Sequence, residues 1–360
     1  MMLGKLRPIQ IAVAGLIVLL IAECVARLIT QNDWVLETTS ELSSVRWQLL
    51  WLKTHTRPAT TTDYKIDAYH PLLGWIPLKN AKNISMGTYM VNFNSDGVRG
   101  IKTYTKERQS AIVRIVVVGD SFTFGEDVND DETYPAQLEK VLPNAEVLNY
   151  GVHGYGLDQM TVRLHLDGFT YHPDVVIYAF IGGDLDRTLL SFRDYMKPRY
   201  VLVGNHLQLV NVPIPPPTKL IRELQYHPAI FDLFALIKDR VTLSSNQIER
   251  AKPLTLAIWK QTVEDIQHHD AVPIFLYLPA GTEINNPDTT SDEQFMFSFC
   301  RDAKIACFSA RPYLTRARLK GAKYNIHMHY EPETNRIIAQ GLSNDLSTIL
   351  PTRSVSSLTN

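Results

Sequence analysis

Short apolar runs alternate with amphipathic stretches over most of the chain. The run IVRIVVV at 112–118 is continuous and β-branched, which is typical of a strand that is covered on both faces. Patterns of helical period separate it from the further strands predicted at 146–150, 174–181 and 272–279. Strands and helices that alternate in this way predict right-handed crossovers and a parallel sheet, and therefore an α/β fold.

A different apolar pattern lies at the N-terminus, where Pro8 to Ala22 are fifteen residues without a charge. Fifteen residues suit a signal-peptide core, whereas membrane spans need about 17–25. Apolar residues resume after Glu23, and Glu23 and Arg27 could pair on a helix or reach the lipid headgroups, which extends the span to about Ile29. We therefore predict an uncleaved anchor, in preference to a cleaved signal or a buried core helix.

The flanking charges predict the orientation of this anchor. Lys5 and Arg7 precede the apolar run, which indicates a cytoplasmic N-terminus and an exported main domain. Of the three cysteines, Cys24 lies in the anchor. Cys300 and Cys307 are spaced to join a helix end to the next strand, so in an oxidising compartment they could form a disulfide, and two buried free thiols are the equal alternative.

These patterns divide the chain into four parts: a transmembrane anchor at 1–30, a helical stalk at 31–67, the α/β domain at 68–350 and a flexible tail at 351–360. The α/β rhythm breaks at about 187–250, which we interpret as an insertion that shapes one side of a cleft. The segment RYVLVGNHLQLV predicts a hairpin there, and two helical patterns follow at about 217–240 and 246–268.

Composition then removes some classes of function. The chain has 360 residues, with 36 Lys and Arg against 37 Asp and Glu, and 45% of its residues are hydrophobic. This apolar content is too high for a disordered chain, and a nucleic-acid binder usually carries a strong basic excess. A globular protein with a large buried core is expected.

Candidate chemistry lies at the ends of the predicted strands. Ser121 follows the first core strand directly in VVVGDSFTFGEDV, and ligands of open α/β sheets bind beyond the carboxyl ends of the strands. Asp120 is expected to accept backbone N–H groups in the turn, and on this block alone both residues could simply cap a helix. Glycine-rich and acidic blocks also follow the next two strands, as NYGVHGYG and FIGGDLDR, and a histidine block precedes the last helix.

Taken in order, these blocks resemble those of the SGNH (GDSL-like) hydrolase superfamily over about residues 68–350. GDSFTFG resembles the first block and implies a nucleophile at Ser121. NYGVHGYG resembles the second, with Gly154 at the oxyanion-hole glycine, and HYEPETNRIIA resembles the last, with the catalytic base at His329. The upstream turns HPLLGW and NSDGVRG resemble a membrane-anchored bacterial branch, which implies the inner membrane. The fold implied is a three-layer α/β/α sandwich of flavodoxin-like kind.

The third block departs from the family pattern. It reads Gly182-Gly183-Asp184, so Gly183 stands where the family has an asparagine that donates to the oxyanion. Removing one such donor typically costs about 100- to 1,000-fold in rate.

The last block departs as well, because the family's acid lies two or three residues before the histidine. Here His327 and Ile326 occupy those places. A Ser–His dyad can still work if some acceptor holds the base, and Asp184, Glu331 or a backbone carbonyl are the candidates. His327 either orients His329 or binds substrate, or it is a loop residue without a role.

Other residues have a functional and a structural interpretation. Arg99 could bind an anionic or sugar group or form a salt bridge, and Trp75 and Tyr155 could stack on a sugar ring or only pack. The cluster at 268–270, His-His-Asp, ends a predicted helix, where solvated side chains that complement the helix dipole are favoured over a metal site. No spacing elsewhere suggests zinc, a nucleotide or another cofactor, and none is expected.

The favoured function is an exported, membrane-anchored serine esterase or O-acyltransferase that uses Ser121 and His329. Its substrate class, an acyl ester of a polysaccharide such as an O-acetyl group, comes from the resemblance alone. The alternative is a catalytically impaired relative that binds a glycan or assembles a complex, which Gly183 and the missing acid would explain. Neither hypothesis includes a nucleic-acid partner.

Overall fold

The computed structural model describes residues 8–55, 66–107, 109, 111–204, 206–242, 247–324 and 328–350. The predictions for Lys5, Arg7, His327 and the tail at 351–360 lie outside the described residues.

The strands of the described chain form one large sheet and three small ribbons. In chain order they are β1 (Asp67–His70), β2 (Gly74–Pro77), β3 (Ile84–Ser85), β4 (Met90–Val91), β5 (Val113–Gly119), β6 (Ala145–Gly151), β7 (Val175–Phe180), β8 (Arg199–Val203), β9 (His206–Val210), β10 (Val272–Tyr277) and β11 (Ala306–Ser309).

The large sheet is parallel and has the order β6-β5-β7-β10-β11. Numbered along the chain this is 2-1-3-4-5, the flavodoxin-like order of doubly wound folds. Along β5, Val116 and Val118 enter one apolar cluster while Ile115 and Val117 enter the other. The sheet is therefore buried on both faces, as its β-branched sequence predicted.

Helices cover both faces of this sheet, and further helices lie elsewhere along the chain. They are α1 (Pro8–Thr30), α2 (Asp33–Glu37), α3 (Ser44–His55), α4 (Ser121–Phe124), α5 (Tyr134–Val141), α6 (Leu157–Leu166), α7 (Gly182–Arg187), α8 (Pro217–Gln225), α9 (Ala229–Thr242), α10 (Gln247–His268), α11 (Ser291–Ala303), α12 (Arg311–Leu319) and α13 (Pro332–Leu346), with 3₁₀ turns at Asp130–Glu132, Gly168–Tyr171 and Gly281–Asn285.

The two apolar clusters show which helices cover each face of the sheet. Met160 of α6, Trp259 of α10 and Phe299 of α11 pack on one face of the sheet. The other face is covered by α5, α12 and α13, which contribute Leu138 and Ile338 among others. The predicted three-layer α/β/α sandwich is thus confirmed.

The N-terminal helices α1 and α3 precede the α/β domain, and α3 packs against it. Helix α1 has 23 residues and is long and apolar enough to cross a membrane. The predicted stalk does not stand apart from the domain, because Trp51 of α3 is buried against Phe192 and Tyr195, with ring centroids 5.9 and 5.0 Å away. The boundary at residue 67 stays a prediction.

The insertion contains the predicted hairpin, in which β8 and β9 pair antiparallel from Arg199 opposite Val210. The helical pattern at 217–240 is two helices, so the prediction of one was wrong. Pro228 restricts the backbone of the preceding residue to non-helical conformations, and α8 ends at Gln225 before it. Farther along, a disulfide joins Cys300 in α11 to Cys307 in β11.

Candidate active site

Ser121 begins α4, directly beyond the carboxyl end of β5. The turn into α4 is stabilised by Asp120, whose Oδ1 accepts a hydrogen bond from the Phe122 N–H at 2.9 Å. This is the turn-acceptor role that the sequence predicted for Asp120. The position at the end of a central strand places the hydroxyl of Ser121 where open α/β sheets bind ligands.

His329 reaches Ser121 from the far end of the chain. Its Nε2 lies 2.9 Å from Ser121 Oγ. The ring of Phe122 packs against His329 and against Tyr330, with centroids 4.9 and 4.8 Å away, and the Tyr330 hydroxyl donates to the Pro279 carbonyl at 2.7 Å. These contacts hold the imidazole at the distance expected of a general base from its nucleophile.

Two carboxylates from the loop after α4 face the same imidazole. Asp127 Oδ2 lies 3.4 Å from His329 Nδ1, and Glu126 Oε2 lies 2.9 Å from Nε2. Asp127 therefore occupies the position from which an acceptor can hold a catalytic histidine in the tautomer that accepts a proton from serine. Sequence reasoning missed both residues because it considered the places before His329, and then Asp184 and Glu331, but not the loop that follows the nucleophile. The available signal was their position right after the nucleophile block.

A tight turn brings these two carboxylates back toward the serine. Gly125 and Asp127 both have left-handed backbones, with φ of 83° and 72°. The N–H groups of Gly125 and Glu126 both donate to the Ser121 carbonyl, at 3.0 and 3.1 Å. The loop therefore folds over the end of α4 toward His329.

The prediction that Asp184 could be the acceptor for His329 was wrong, because its carboxylate has other partners. Its carboxylate accepts the Ile181 N–H at 3.1 Å and pairs with Arg187. Burial raises the pKa of Asp184 well above its ordinary value, the neighbouring Asp120 adds to this, and Arg187 opposes it. The other side-chain candidate, Glu331, stands at the N-cap position of α13. The carboxylate at Nδ1 is that of Asp127.

The charge on His329 is controlled by opposing effects. Burial disfavours the charged ring, but the hydrogen bond and charge of Glu126, helped by Asp120 and Asp127, hold the pKa of His329 above its ordinary value. Burial opposes ionisation of Glu126 in turn, yet the hydrogen bond and charge of His329 lower its pKa. The charged forms of His329 and Glu126 therefore stabilise each other.

Gly154 follows β6, the strand next to β5, and Ser121 follows β5. The sheet register pairs Gly119 with Gly151, and the Val152 N–H donates to the Gly119 carbonyl at 3.1 Å. Gly154 has a left-handed backbone, with φ of 71°, and a Cβ on it would collide with the Asp194 carboxylate. Within the described part of the chain its N–H has no hydrogen-bond partner. A free N–H at this place could donate to an oxyanion.

Gly183 follows β7, the strand on the other side of β5 from β6. A Cβ on Gly183 would meet only the Ile181 side chain, at 3.7 Å or more. The backbone there is not left-handed. A Cβ at position 183 is therefore sterically tolerated.

His153, next to Gly154, was not a candidate from the sequence. Its Nε2 lies 2.6 Å from Asp67 Oδ2, and its Nδ1 lies 4.0 Å from Asp194. Although burial disfavours the charged ring, Asp67, Asp194 and Glu126 raise the pKa of His153 to about 10. The loop that presents Gly154 therefore carries a positive charge at neutral pH.

Several other candidates have structural roles. Arg99 is buried and pairs with Asp130 while donating to the Val128 carbonyl at 2.9 Å. Tyr155 is fully buried, and its hydroxyl donates to the Trp75 carbonyl at 2.6 Å, so stacking of Tyr155 on a sugar was a wrong prediction. The 268–270 cluster ends α10 as expected. Within the described ranges, no group of three or more His, Cys, Asp or Glu could hold a metal ion.

No protein-family model and no curated protein sequence matches the chain. Solved structures do. A member of the lipolytic G-D-S-L family from Veillonella parvula is 13% identical, with a TM-score of 0.39, and the match covers 66% of this chain and 100% of that one.

Two esterases are similar to the same extent. An acetyl-xylooligosaccharide esterase mutant from Geobacillus is 13% identical over 66% of this chain and 96% of that one, with a TM-score of 0.39. A two-domain esterase active on acetylated mannans is 12% identical over 66% of this chain and 50% of that one, with a TM-score of 0.39. The function proposed below rests on the geometry of the site.

Proposed function

We propose that this protein is a serine esterase that cleaves or transfers acyl groups through an acyl-enzyme at Ser121. The observation that carries the proposal is the 2.9 Å contact between Ser121 Oγ and His329 Nε2, with Asp127 3.4 Å from Nδ1 of the same ring. Nucleophile, base and orienting acid are thus in one line, the arrangement that activates a serine.

The steps follow from this order. The Ser121 oxygen attacks the acyl carbon while His329 Nε2 takes the hydroxyl proton, and Asp127 stabilises the imidazolium that forms. The N–H groups of Ser121 and Gly154 donate to the oxyanion. His329 then gives its proton to the departing alcohol, which leaves an acyl-serine. Water or an acceptor hydroxyl attacks this ester, and the same proton transfers run again.

Glu126 sets the pH at which this cycle can begin. Nε2 cannot accept from Ser121 while it carries a proton that it donates to Glu126. Because Glu126 favours the charged ring, His329 has to lose its proton to become a base. The rate should therefore rise with pH through a pKa above the ordinary histidine value.

A cavity beside Gly154 suits a carbohydrate as the part of the substrate that carries the ester. Its volume is about 310 Å³, and its lining includes four aromatic residues and two carboxylates: Trp51, Tyr69, Trp75, Tyr195, Asp67 and Asp194. Asp67 Oδ1 is buried and has no hydrogen-bond partner within the described chain. A buried acceptor of this kind calls for a donor, and a sugar hydroxyl beside aromatic rings would supply one.

We further propose that the enzyme is exported and anchored by α1 in a bacterial inner membrane. The 23-residue apolar helix supports a membrane span, and the Cys300–Cys307 disulfide suits an oxidising compartment. Cysteine-reactive labelling of whole cells at an exposed position of the domain, such as Leu319→Cys, tests this. Labelling by a membrane-impermeant reagent is expected, and labelling only after lysis would contradict export.

The direct test of the nucleophile uses p-nitrophenyl acetate and a fluorophosphonate probe. Ser121→Ala should abolish both hydrolysis and labelling, whereas Ser95→Ala, at an exposed loop position, should change neither. Equal rates for wild type and Ser121→Ala would refute the mechanism. Binding of glycans without any labelling of the wild type would instead support the non-catalytic alternative.

The carbohydrate part is tested separately with acetylated xylo-oligosaccharides. Tyr69→Ala, at the edge of the cavity, should raise KM for the oligosaccharide and leave p-nitrophenyl acetate hydrolysis unchanged. Tyr226→Ala, another exposed tyrosine, is the control. An unchanged KM in Tyr69→Ala would show that the cavity does not hold the sugar. Adding a free oligosaccharide acceptor and analysing the products separates transfer from hydrolysis.

A further inference from the structure

The two charges that interrupt the apolar helix α1 are used to hold the insertion. Glu23 and Arg27 form an ion pair, with Arg27 Nε 2.8 Å from Glu23 Oε1. The Glu23 carboxylate also accepts the N–H groups of Ala229 and Ile230, at 2.9 and 3.2 Å, and Arg27 donates to the His227 carbonyl at 3.3 Å. These contacts attach the end of α1 to the turn between α8 and α9.

Packing continues this attachment along the helix. In α1, Ala26 and Thr30 are almost completely buried, one turn apart, and α9 is the element that α1 contacts most. Near the other end of α9, the Ser43 hydroxyl donates to Asp239 at 2.6 Å. Helix α9 therefore starts level with Glu23 and runs toward the segment that follows α1.

The position of Glu23 along α1 places the turn between α8 and α9 relative to a bilayer. Each residue of a helix advances about 1.5 Å, so Glu23 lies about 10 Å from Thr30 along α1. A span of about 20 residues that starts at Pro8 ends close to Arg27. If α1 crosses a bilayer, the turn between α8 and α9 is held at the edge of the hydrocarbon region.

Helices α8 and α9 form a helical hairpin, the α8–α9 hairpin, whose exposed side chains suit the edge of the hydrocarbon region. Five large apolar residues there are each more than half exposed: Tyr226, Phe231, Phe234, Ile237 and Val241. From Phe231 onward their spacing of three, three and four residues puts them on one face of α9. Such a stripe is costly in water, and aromatic side chains favour the membrane interface.

We propose that the tip of the α8–α9 hairpin enters the interfacial region of a phospholipid bilayer next to α1, with Tyr226, Phe231 and Phe234 in contact with lipid. This rests on the proposed membrane span of α1. It gives the domain a second membrane contact, which fixes its tilt. The hairpin can pass this constraint to the catalytic domain because Leu220 of α8 belongs to the main apolar cluster and the Ile214 N–H donates to the Pro71 carbonyl at 2.7 Å.

The test measures the depth of single nitroxide labels on the full chain, reconstituted in bilayers of phosphatidylethanolamine and phosphatidylglycerol. Cys24 is replaced by Ser so that one introduced cysteine reacts. Labels at 231, 234 and 241 are compared with Leu16→Cys, on the exposed surface of α1, and with Leu319→Cys, an exposed leucine of α12. The ratio of accessibility to oxygen over a water-soluble nickel complex reports depth.

The labels at 231 and 234 should show a ratio several-fold above that at 319 but below that at 16, which lies near the middle of the span. The ratio at 241 should be lower than at 231 and 234, because α9 rises away from Glu23. A ratio at 231 and 234 equal to that at 319, with 16 in lipid, would refute the hairpin contact and leave the anchor intact. A water-exposed label at 16 would refute the anchor itself. Spin–spin coupling at 234 that disappears on dilution with unlabelled protein would assign the face to a second copy and overturn the proposal.

Discussion

Gly183→Asn should increase the esterase activity, since it returns the oxyanion donor that the third block lacks. In the structure a Cβ at this position meets only the Ile181 side chain, at 3.7 Å or more, which is ordinary van der Waals contact. The backbone is not left-handed, and asparagine is tolerated near a helix start better than inside one. The substitution therefore adds an amide without displacing the site.

The size of the gain is bounded by what such donors contribute. Loss of one oxyanion donor costs about 100- to 1,000-fold in kcat, or about 2.7–4 kcal/mol. In this chain a Cβ at position 183 has only the Ile181 side chain within 4 Å, so we expect the amide to be held less firmly than an evolved donor. We expect about a tenfold increase in kcat, which corresponds to about 1.4 kcal/mol of transition-state stabilisation.

Saturation kinetics with p-nitrophenyl acetate measure this gain, and thermal unfolding checks that the variants are folded. Gly183→Ala adds the Cβ without a donor and should not gain activity. Gly183→Asp has nearly the same shape as the asparagine variant but brings a carboxylate toward the oxyanion, so it should lower kcat. If the asparagine and alanine variants have the same kcat, Gly183 does not border the oxyanion and the assignment of this block is refuted.

Three further predictions concern the charged groups around the site. Asp127→Asn should lower kcat about 100-fold or more with little change in KM, because the amide stabilises the wrong tautomer of His329; an activity close to wild type would show that Asp127 does not orient the base. Glu126→Gln removes the main cause of the raised pKa of His329, so the pH at which kcat/KM rises should move down, and an unmoved profile would contradict the competition for Nε2. His153, with a pKa raised to about 10 from 6.5, stabilises the fold fully below about pH 6.5 and loses this contribution as pH rises toward 10. Asp67→Asn removes the largest cause of that rise, so denaturant unfolding across this range should show a weaker loss of stability with pH in the variant than in wild type.

The sheet could be predicted because burial on both faces leaves a strong sequence pattern. Each central strand is a short, nearly continuous apolar run, and β5 divides its valines and isoleucine between two apolar clusters. Less regular elements could not be predicted from the sequence, for physical reasons. Helix α12 is mostly polar, with Tyr313 and Leu314 as its buried apolar side chains, so it carries little helical periodicity. The apolar pattern of α8 and α9 continues across Pro228, which hides the break between them.

Charges in apolar segments were harder to interpret than the strands. For Glu23 and Arg27 the sequence left two alternatives, pairing with each other or reaching the lipid headgroups, and the structure shows the ion pair. Nothing in the sequence pointed to their further partners. Their partners are backbone groups about two hundred residues away. Contacts of this kind depend on how the insertion folds back, which no local pattern contains.

In the candidate active site, too, a local sequence pattern did not reveal which residues meet in space. A motif that places the acid before the histidine records positions along the chain, whereas the chemistry requires only a carboxylate at Nδ1. Here two left-handed residues, Gly125 and Asp127, reverse the chain after α4 and bring that carboxylate from the nucleophile's own loop. The absence of an acid directly before His329 in the sequence is therefore no sign of lost catalysis. It shifts the question to the geometry of the turn from Gly125 to Asp127, which also supplies Glu126, so nucleophile activation and the charge of the base depend on one short segment.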